Sequence, residues 1–308
     1  MPEITEIRKY ADFIKKHING KKILNINILN GRYKKHKPFE KYDVIMKNLP
    51  LKLIDIATKG KLMYFIMEKN IFIKTTMGLS GGWCFVKNKT KKILFSDVMG
   101  DYIEHSNGIY NEKINQYMEN AIKHRNIEFV TENGSLFFYD MLSFGTIKVI
   151  DDKQNMEKEL KKLGPDIMNN ETTFNEFTKR IFMKKNMEKE IGIVLMDQKT
   201  ISGIGNYLRS DILYMSKINP FRTVKKLTNI ELQSIYNNAK ILTWGDYDIN
   251  KGKQYGIIKK TTKLPSDYDR MFFVYGQETD IYGNKVIYKT LYEGSQKRYI
   301  YYVPSIQK

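Results

Sequence analysis

Residues Leu195 to Arg222 read LMDQKTISGIGNYLRSDILYMSKINPFR: two helical segments around a short turn, Thr200-Ile201-Ser202-Gly203-Ile204-Gly205, that ends in Asn206. Gly203 and Gly205 let the backbone reach positive φ and let another backbone come close. The second helix starts at that turn, so its unpaired N–H groups and positive dipole end face whatever the turn touches. An anion is the natural ligand there. In a chain this basic the expected anion is a nucleic-acid phosphate.

The charge supports that expectation. Lys and Arg number 52 against 34 Asp and Glu, a formal net charge of +18 over 308 residues. Such an excess points to a polyanion, nucleic acid first and an anionic membrane second. A Lys-rich surface can also reflect a compositional bias toward Lys, Ile and Asn, but that bias would not build the turn. Aromatic residues make up 13% of the chain, too many for a disordered basic tail. The length favours two domains, each large enough to bury a core.

Cys84 is the only cysteine and lies in an apolar run, Gly82-Trp83-Cys84-Phe85-Val86. No disulfide can form within the chain, which suits a reducing compartment (nucleus, cytoplasm or viral factory) rather than secretion. His17, His36, His105 and His124 follow no ligand spacing, so zinc-finger and ribbon sites are excluded on ligand count. The start, Met1-Pro2-Glu3-Ile4-Thr5-Glu6, resembles no targeting peptide, and no apolar run is long enough to span a bilayer.

Along the chain, Pro2 to Ile18 reads as an amphipathic helix, with Ile7, Ala11, Ile14 and Ile18 on one face and Pro2 in its first turn. From Lys22 the period becomes two, and Leu24, Ile26 and Ile28 predict the inward face of a strand. Leu51 to Ala57, a Thr58-Lys59-Gly60-Lys61 tip, Leu62 to Met67 and Ile71 to Thr76 predict an antiparallel meander. Ser135 to Ile150 is again strand-rich. A charged, helical stretch near 151–165 marks the domain boundary. Helices follow, with Phe174, Phe177 and Ile181 on one face, and Gly245 to Ser266 reads as loop. Val286-Ile287-Tyr288 and Tyr299 to Val303 predict a small hairpin module at the end.

Several residues carry chemistry. With Met1 removed, Pro2 would present a secondary amine; an α-amine titrates near pKa ~8, leaving a neutral, nucleophilic fraction at pH 7. The helix N-terminus behind it disfavours the cation and lowers that value further. Such an amine can attack an aldehydic carbon to form an iminium, and the adjacent Glu3 can shuttle the protons this needs. Each group alone also has an ordinary reading. Pro2 opens a helix, Lys61 is a solvated hairpin-tip charge, and Arg298, near the end of the second tail turn, is surface. Leu79, in Met77-Gly78-Leu79-Ser80-Gly81, closes a strand.

Together, and in this order, these residues resemble the formamidopyrimidine–endonuclease VIII family of DNA glycosylase/AP lyases over nearly the whole chain. The most specific element is GIGNYLRSDILY, Gly203 to Tyr214, which is most similar to the Nei-like branch. The resemblance implies an α+β chain. An N-terminal antiparallel β-sandwich-type domain with a long N-terminal helix (1–150) would be followed by a linker (151–160). A helical helix-two-turn-helix domain (161–264) and a zincless β-hairpin finger (265–308) would complete it.

The same resemblance implies the residue roles. Pro2 is the nucleophile, Glu3 the acid/base, Glu6 a supporting carboxylate, and Lys61 a catalytic residue that contacts phosphate. Asn206 and Gly203 of the turn, with Arg298 of the finger, grip the phosphate backbone. Leu79 and Phe144 fill the void left by an everted nucleotide, and Lys253 and Tyr255 touch the flipped base. Damaged double-stranded DNA is the implied partner, with single-stranded or bubble DNA left open. No membrane, cofactor or metal is implied, and the protein acts as a monomer. The activity implied is removal of oxidised bases, pyrimidines favoured, with β,δ-elimination at the abasic site.

Three departures from the family pattern stand out. The positions of two zinc-binding cysteine pairs read Thr279-Asp280-Ile281-Tyr282-Gly283, and Val303 with Ile306. The arginine usual before Phe144 is replaced by Leu142 or Ser143, and Asp211 stands where glutamate is usual. The competing reading, from another class, is a non-catalytic helix-two-turn-helix module that binds nucleic acid.

Overall fold

The computed structural model describes residues 2–96, 112–248, 272–293 and 296–308. They form two compact units: one runs to Lys161, the other from Lys162 to the end of the chain, with the finger inside it.

The first unit holds α1 (Ile4–Ile18), α2 (Arg32–Lys35), α3 (Tyr42–Asn48), α4 (Glu112–Lys123) and α5 (Lys153–Lys161). Its strands are β1 (Lys22–Ile28), β2 (Leu51–Lys59), β3 (Leu62–Met67), β4 (Phe72–Thr76), β5 (Gly81–Lys87), β6 (Ile93–Phe95), β7 (Arg125–Thr131), β8 (Gly134–Asp140) and β9 (Thr146–Ile150). All nine join one antiparallel ladder in the order β6-β5-β8-β7-β1-β2-β3-β4-β9. The ladder folds over at the short β1–β2 pairing, so that rings from its two halves meet. Phe65 of β3 stacks on Phe129 of β7 at 5.8 Å between centroids and packs on Trp83 of β5 at 5.4 Å. That contact makes the unit a sandwich, with Trp83 wholly buried in its apolar core.

Helix α1 covers the core with Ile7, Ala11, Ile14 and Ile18, all buried, as the 3.6-residue period predicts. Tyr10 on the same helix meets Tyr139 of β8 oxygen to oxygen at 3.0 Å; Tyr117 reaches the same Tyr139 at 3.3 Å. Burial pushes the Tyr10 and Tyr139 phenols well above their usual pKa, so both stay protonated. Gly82 lies under this pair: a Cβ there would fall 2.3 Å from the Tyr139 hydroxyl and 2.4 Å from that of Tyr10. Cys84 is buried beside them, its thiol pushed up to about 12 by loss of solvation.

The expectations for α1 and β1 change. Helix α1 starts at Ile4, so Pro2 precedes it and Glu3 is the N-cap. In β1 the inward residues are Ile23 and Ile26, not Leu24, Ile26 and Ile28; Leu24 is exposed. A bulge between Ile23 and Asn25 adds one residue to the strand and shifts the alternation. The stretch assigned to a linker carries α5, which Lys74 ties to β4 through an ion pair with Glu159 at 2.5 Å.

The second unit contains α6 (Phe174–Ile181), α7 (Ile191–Val194), α8 (Asn206–Met215) and α9 (Asn229–Asp248), then the hairpin β10 (Ile287–Glu293) and β11 (Gln296–Tyr302). Phe177 and Ile181 are buried and Phe174 packs edge-on against Tyr236 of α9. Residues 245–248, expected as loop, complete α9. Helix α8 is the hub: every residue from Tyr207 to Tyr214 is buried. The finger hangs on it by polar bonds. Asp211 accepts from the backbone N–H groups of Phe273, Val274 and Tyr275 at 3.0 to 3.3 Å, and Tyr214 donates its hydroxyl to Asp280 at 3.0 Å.

Candidate active site and nucleic-acid interface

The N-terminal site is built on the first turn of α1. Glu3 is extended (φ −109°, ψ −167°) and its side chain is fully buried. Its N–H donates to Glu6 Oε2 at 3.0 Å, while its carbonyl accepts from Ile7 at 3.1 Å to open the helix. The Glu6 carboxylate is therefore fixed at the positive end of a 15-residue helix, where a negative charge is stabilised. Half-buried Pro2 sits one residue further out.

The chain direction brings the lysine hairpin to that same end. Gly20, just past α1, donates to Leu53 at 3.0 Å, and Lys15 pairs with Asp55 at 2.8 Å, so helix and strand run in opposite senses. Back along α1 the distance is about 22 Å at ~1.5 Å per residue. Forward from Leu53 to Lys59 the strand covers roughly 20 Å. The two-residue tip Gly60-Lys61, with Gly60 at φ +55°, thus points toward the Pro2 end of α1. Lys61 is half-buried rather than a fully solvated charge.

Leu79 and Phe144 come together. Both are exposed, at 40% and 59%, and Leu142 beside them is exposed at 55%. A Cβ on Gly78 would fall 2.7 Å from the Phe144–Gly145 backbone, so only glycine lets the two loops approach this closely. The buried Asp140 carboxylate holds both: Oδ1 accepts from Ser80 Oγ at 2.6 Å, and Oδ2 from the Gly145 N–H at 2.6 Å. Ser80 Oγ in turn accepts from the Leu142 N–H at 2.9 Å. Sequence reasoning missed Asp140 and the third apolar side chain, Leu142. The available signal was a carboxylate closing an apolar strand directly before a tight turn.

In the second unit the glycine turn has the expected Gly203, at φ +112°, but its first flanking helix ends early, at Val194. Gln198 spans the gap: its Nε2 donates to the carbonyls of Met196 and Ile204, both at 2.8 Å, and its Oε1 accepts the Gly203 N–H at 2.9 Å. The Gly203 amide is thus already engaged within the turn, contrary to an open amide gripping an anion. Asn206 opens α8, with its Oδ1 receiving Arg209 Nη2 at 2.5 Å. Arg298 lies within β11, opposite Leu291, rather than in a turn. Lys253 and Tyr255 fall outside the described residues.

Two buried polar side chains lie at or next to the positions of the absent cysteines. Asp280 Oδ1 accepts from the N–H groups of Tyr282 at 2.9 Å and Asn284 at 2.8 Å. Gln307, one residue past Ile306, accepts from the Val303 N–H at 2.7 Å and donates to Ile218 at 2.9 Å. Among the described residues no group of three His, Cys, Asp or Glu could hold a metal ion. No described helix is long and apolar enough to cross a membrane.

Comparison with known proteins follows the same division. Residues 1–147 match the model of the formamidopyrimidine-DNA glycosylase N-terminal domain, 163–245 its H2TH domain and 264–308 its C-terminal domain. Formamidopyrimidine-DNA glycosylase of Mycoplasma genitalium is 28% identical over 79% of this chain and 74% of its own. That of Ureaplasma parvum is 24% identical over 100% of both. Among solved structures, the fold is similar to the LlFpg protein complexed with a THF-DNA and an inhibitor (TM-score 0.73, 18% identity, 100% of each chain). It is equally similar to Lactococcus lactis Fpg with an abasic site containing DNA (TM-score 0.73, 17% identity, 100% of each chain). With three successive domain models matched in order from one end to the other, the chain belongs to the formamidopyrimidine-DNA glycosylase family.

Proposed function

We propose that this chain is a bifunctional DNA glycosylase/AP lyase of base-excision repair. It removes oxidised bases, pyrimidines favoured, and cleaves the strand through a Schiff base on Pro2 once Met1 has been removed. The observation that carries the reading is the start of α1, where Pro2 is followed by a fully buried Glu3 whose N–H is held by Glu6. A terminal secondary amine, a carboxylate shielded from water and a helix dipole make one compact proton-transfer unit.

The chemistry runs as follows. The Pro2 nitrogen lone pair bonds to C1′ as the glycosidic bond breaks, and the base leaves with the proton that the attacking amine gives up. Glu3 protonates the ring oxygen as the deoxyribose opens, leaving an iminium at C1′. That cation acidifies the C2′ protons; loss of one expels the 3′ phosphate, and a second elimination expels the 5′ phosphate. Water then hydrolyses the imine and frees the amine.

Access requires the nucleotide to leave the stack, at a cost of a few kcal/mol that is smallest for damaged bases. Lys61, Asn206 and Arg298 contact phosphates and position the DNA without reading sequence. Leu79, Phe144 and Leu142 enter the gap as an apolar wedge. Lys253 and Tyr255 touch the everted base. The partner is damaged double-stranded DNA, bound by a monomer.

Borohydride reduction on a duplex carrying an abasic site tests the reading. The expected result is a covalent protein–DNA adduct with the parent chain and none with Pro2→Gly. Binding without any adduct would leave a non-catalytic DNA-binding module. A panel of oxidised bases reads the pyrimidine preference, expected as faster excision than of oxidised purines.

A further inference from the structure

Arg209 is a charged side chain 1% exposed in the middle of α8. Its guanidinium reaches three segments of the second unit: Nη1 donates to the Gly192 carbonyl of α7 at 2.8 Å, and Nη2 to Asn206 Oδ1 at 2.5 Å and to the Tyr299 carbonyl of β11 at 3.2 Å. Gly192 permits this convergence, since a Cβ there would fall 2.8 Å from Leu291 of the finger. Tyr299 directly follows Arg298, so one guanidinium touches both the Asn206 side chain and the strand that carries Arg298.

Arginine has only donors, and a carboxamide has an acceptor end and a donor end. Facing a guanidinium, the amide must turn its oxygen inward, which leaves its NH2 end pointing away from Arg209. A phosphate oxygen needs a donor, so this is the productive orientation; the flipped amide would present oxygen to oxygen. The terminal torsion of asparagine is broad and close to two-fold, so without a partner both orientations are populated.

We propose that Arg209 is a positioning residue: it locks the Asn206 carboxamide with its NH2 toward the DNA backbone and ties the Arg298 strand to the same turn. This rests on the reading of Asn206 as a phosphate contact. The lock is geometric, because lysine would keep the charge but has no planar fork to hold three carbonyl oxygens at once.

The test compares Asn206→Ala, Arg209→Lys and the double variant of the full chain, by affinity for a duplex with a stable abasic-site analogue at several salt concentrations. Circular dichroism and thermal melting confirm folding. Asn206→Ala should weaken binding about tenfold, the scale of a hydrogen bond to a charged group. Arg209→Lys should match it, and the double variant should be less than about twofold weaker than either. The salt slope should stay unchanged in Arg209→Lys, because no cation is lost. Normal affinity in Arg209→Lys, or losses that multiply in the double variant, overturns the positioning role while the Asn206 contact stands. Unchanged affinity in Asn206→Ala overturns the phosphate reading itself, and this proposal with it. Should Arg209→Lys melt below the assay temperature, Arg209→Gln, with a smaller planar amide, is measured in its place under the same affinity expectations, with the salt slope left out of the comparison because a cation is lost.

Discussion

The sheet unit and the finger solve the same problem, holding short strands together, by opposite means. The sheet unit closes on an apolar interior in which Trp83, Phe65, Phe129 and Phe138 meet at 5.1 to 5.8 Å. The finger has too few residues for such a core and hangs on buried polar groups, Asp211, Asp280 and Gln307, each bonded to backbone. Apolar burial is non-directional and tolerates a change of shape. A buried carboxylate that accepts several N–H groups tolerates almost none, because a lost acceptor strands its donors away from water. The comparison teaches where tolerance ends along this chain.

The largest expected effect lies in the tolerant region. Trp83→Ala should cost about 3–5 kcal/mol by cavity formation, measured by denaturant unfolding. Trp83→Phe should recover most of that loss, because the indole N–H has no acceptor among the described residues and losing it costs nothing. A Phe variant as unstable as Ala would refute the tolerant picture. The finger should behave in the reverse manner. Asp280→Ala should cost about 3 kcal/mol by stranding the Tyr282 and Asn284 amides and the Tyr214 hydroxyl. Asp280→Asn should be nearly as damaging, since one acceptor oxygen becomes a donor. Limited proteolysis should cut the finger early in both variants; an Asn variant as resistant as the parent would erase the distinction.

The smallest effect concerns an ion pair within the second unit. Hydrogen bonds from Arg222 hold Glu231 below the usual carboxylate pKa, at 2.5 and 3.1 Å. A depressed folded-state pKa gives stability that is present above the unfolded value, near ~4.3, and is lost as pH falls through the folded one. Melting temperature should therefore fall more steeply below pH ~4.3 in the parent than in Glu231→Gln. Equal slopes would show the pair to be energetically silent.

Helix α1 and the lysine hairpin were legible because their periods, 3.6 and two, are local properties of the sequence. The β1 face was not, since a single bulged residue at Leu24 reverses the alternation and nothing local announces it. The glycine turn was readable from its residues, whereas the capture of the Gly203 amide by Gln198 depends on a side-chain rotamer. In the finger, Asp280 and Gln307 look like ordinary loop residues until their partners Tyr214 and Ile218, far back along the chain, are known. The roll of candidate residues came from a resemblance; the buried groups bonded beside them, Asp140 and Arg209, are visible only in the structure.

Gly82 has a reach beyond its own strand. Chain ends ordinarily fray, yet here the segment just after Pro2 is seated through Tyr10 on Tyr139, directly above a position with no room for a methyl group. Any side chain there would lever the two phenols apart and lift the helix off its bed. The seat of the helix that follows Pro2 is thereby set by a missing atom deep in the sheet.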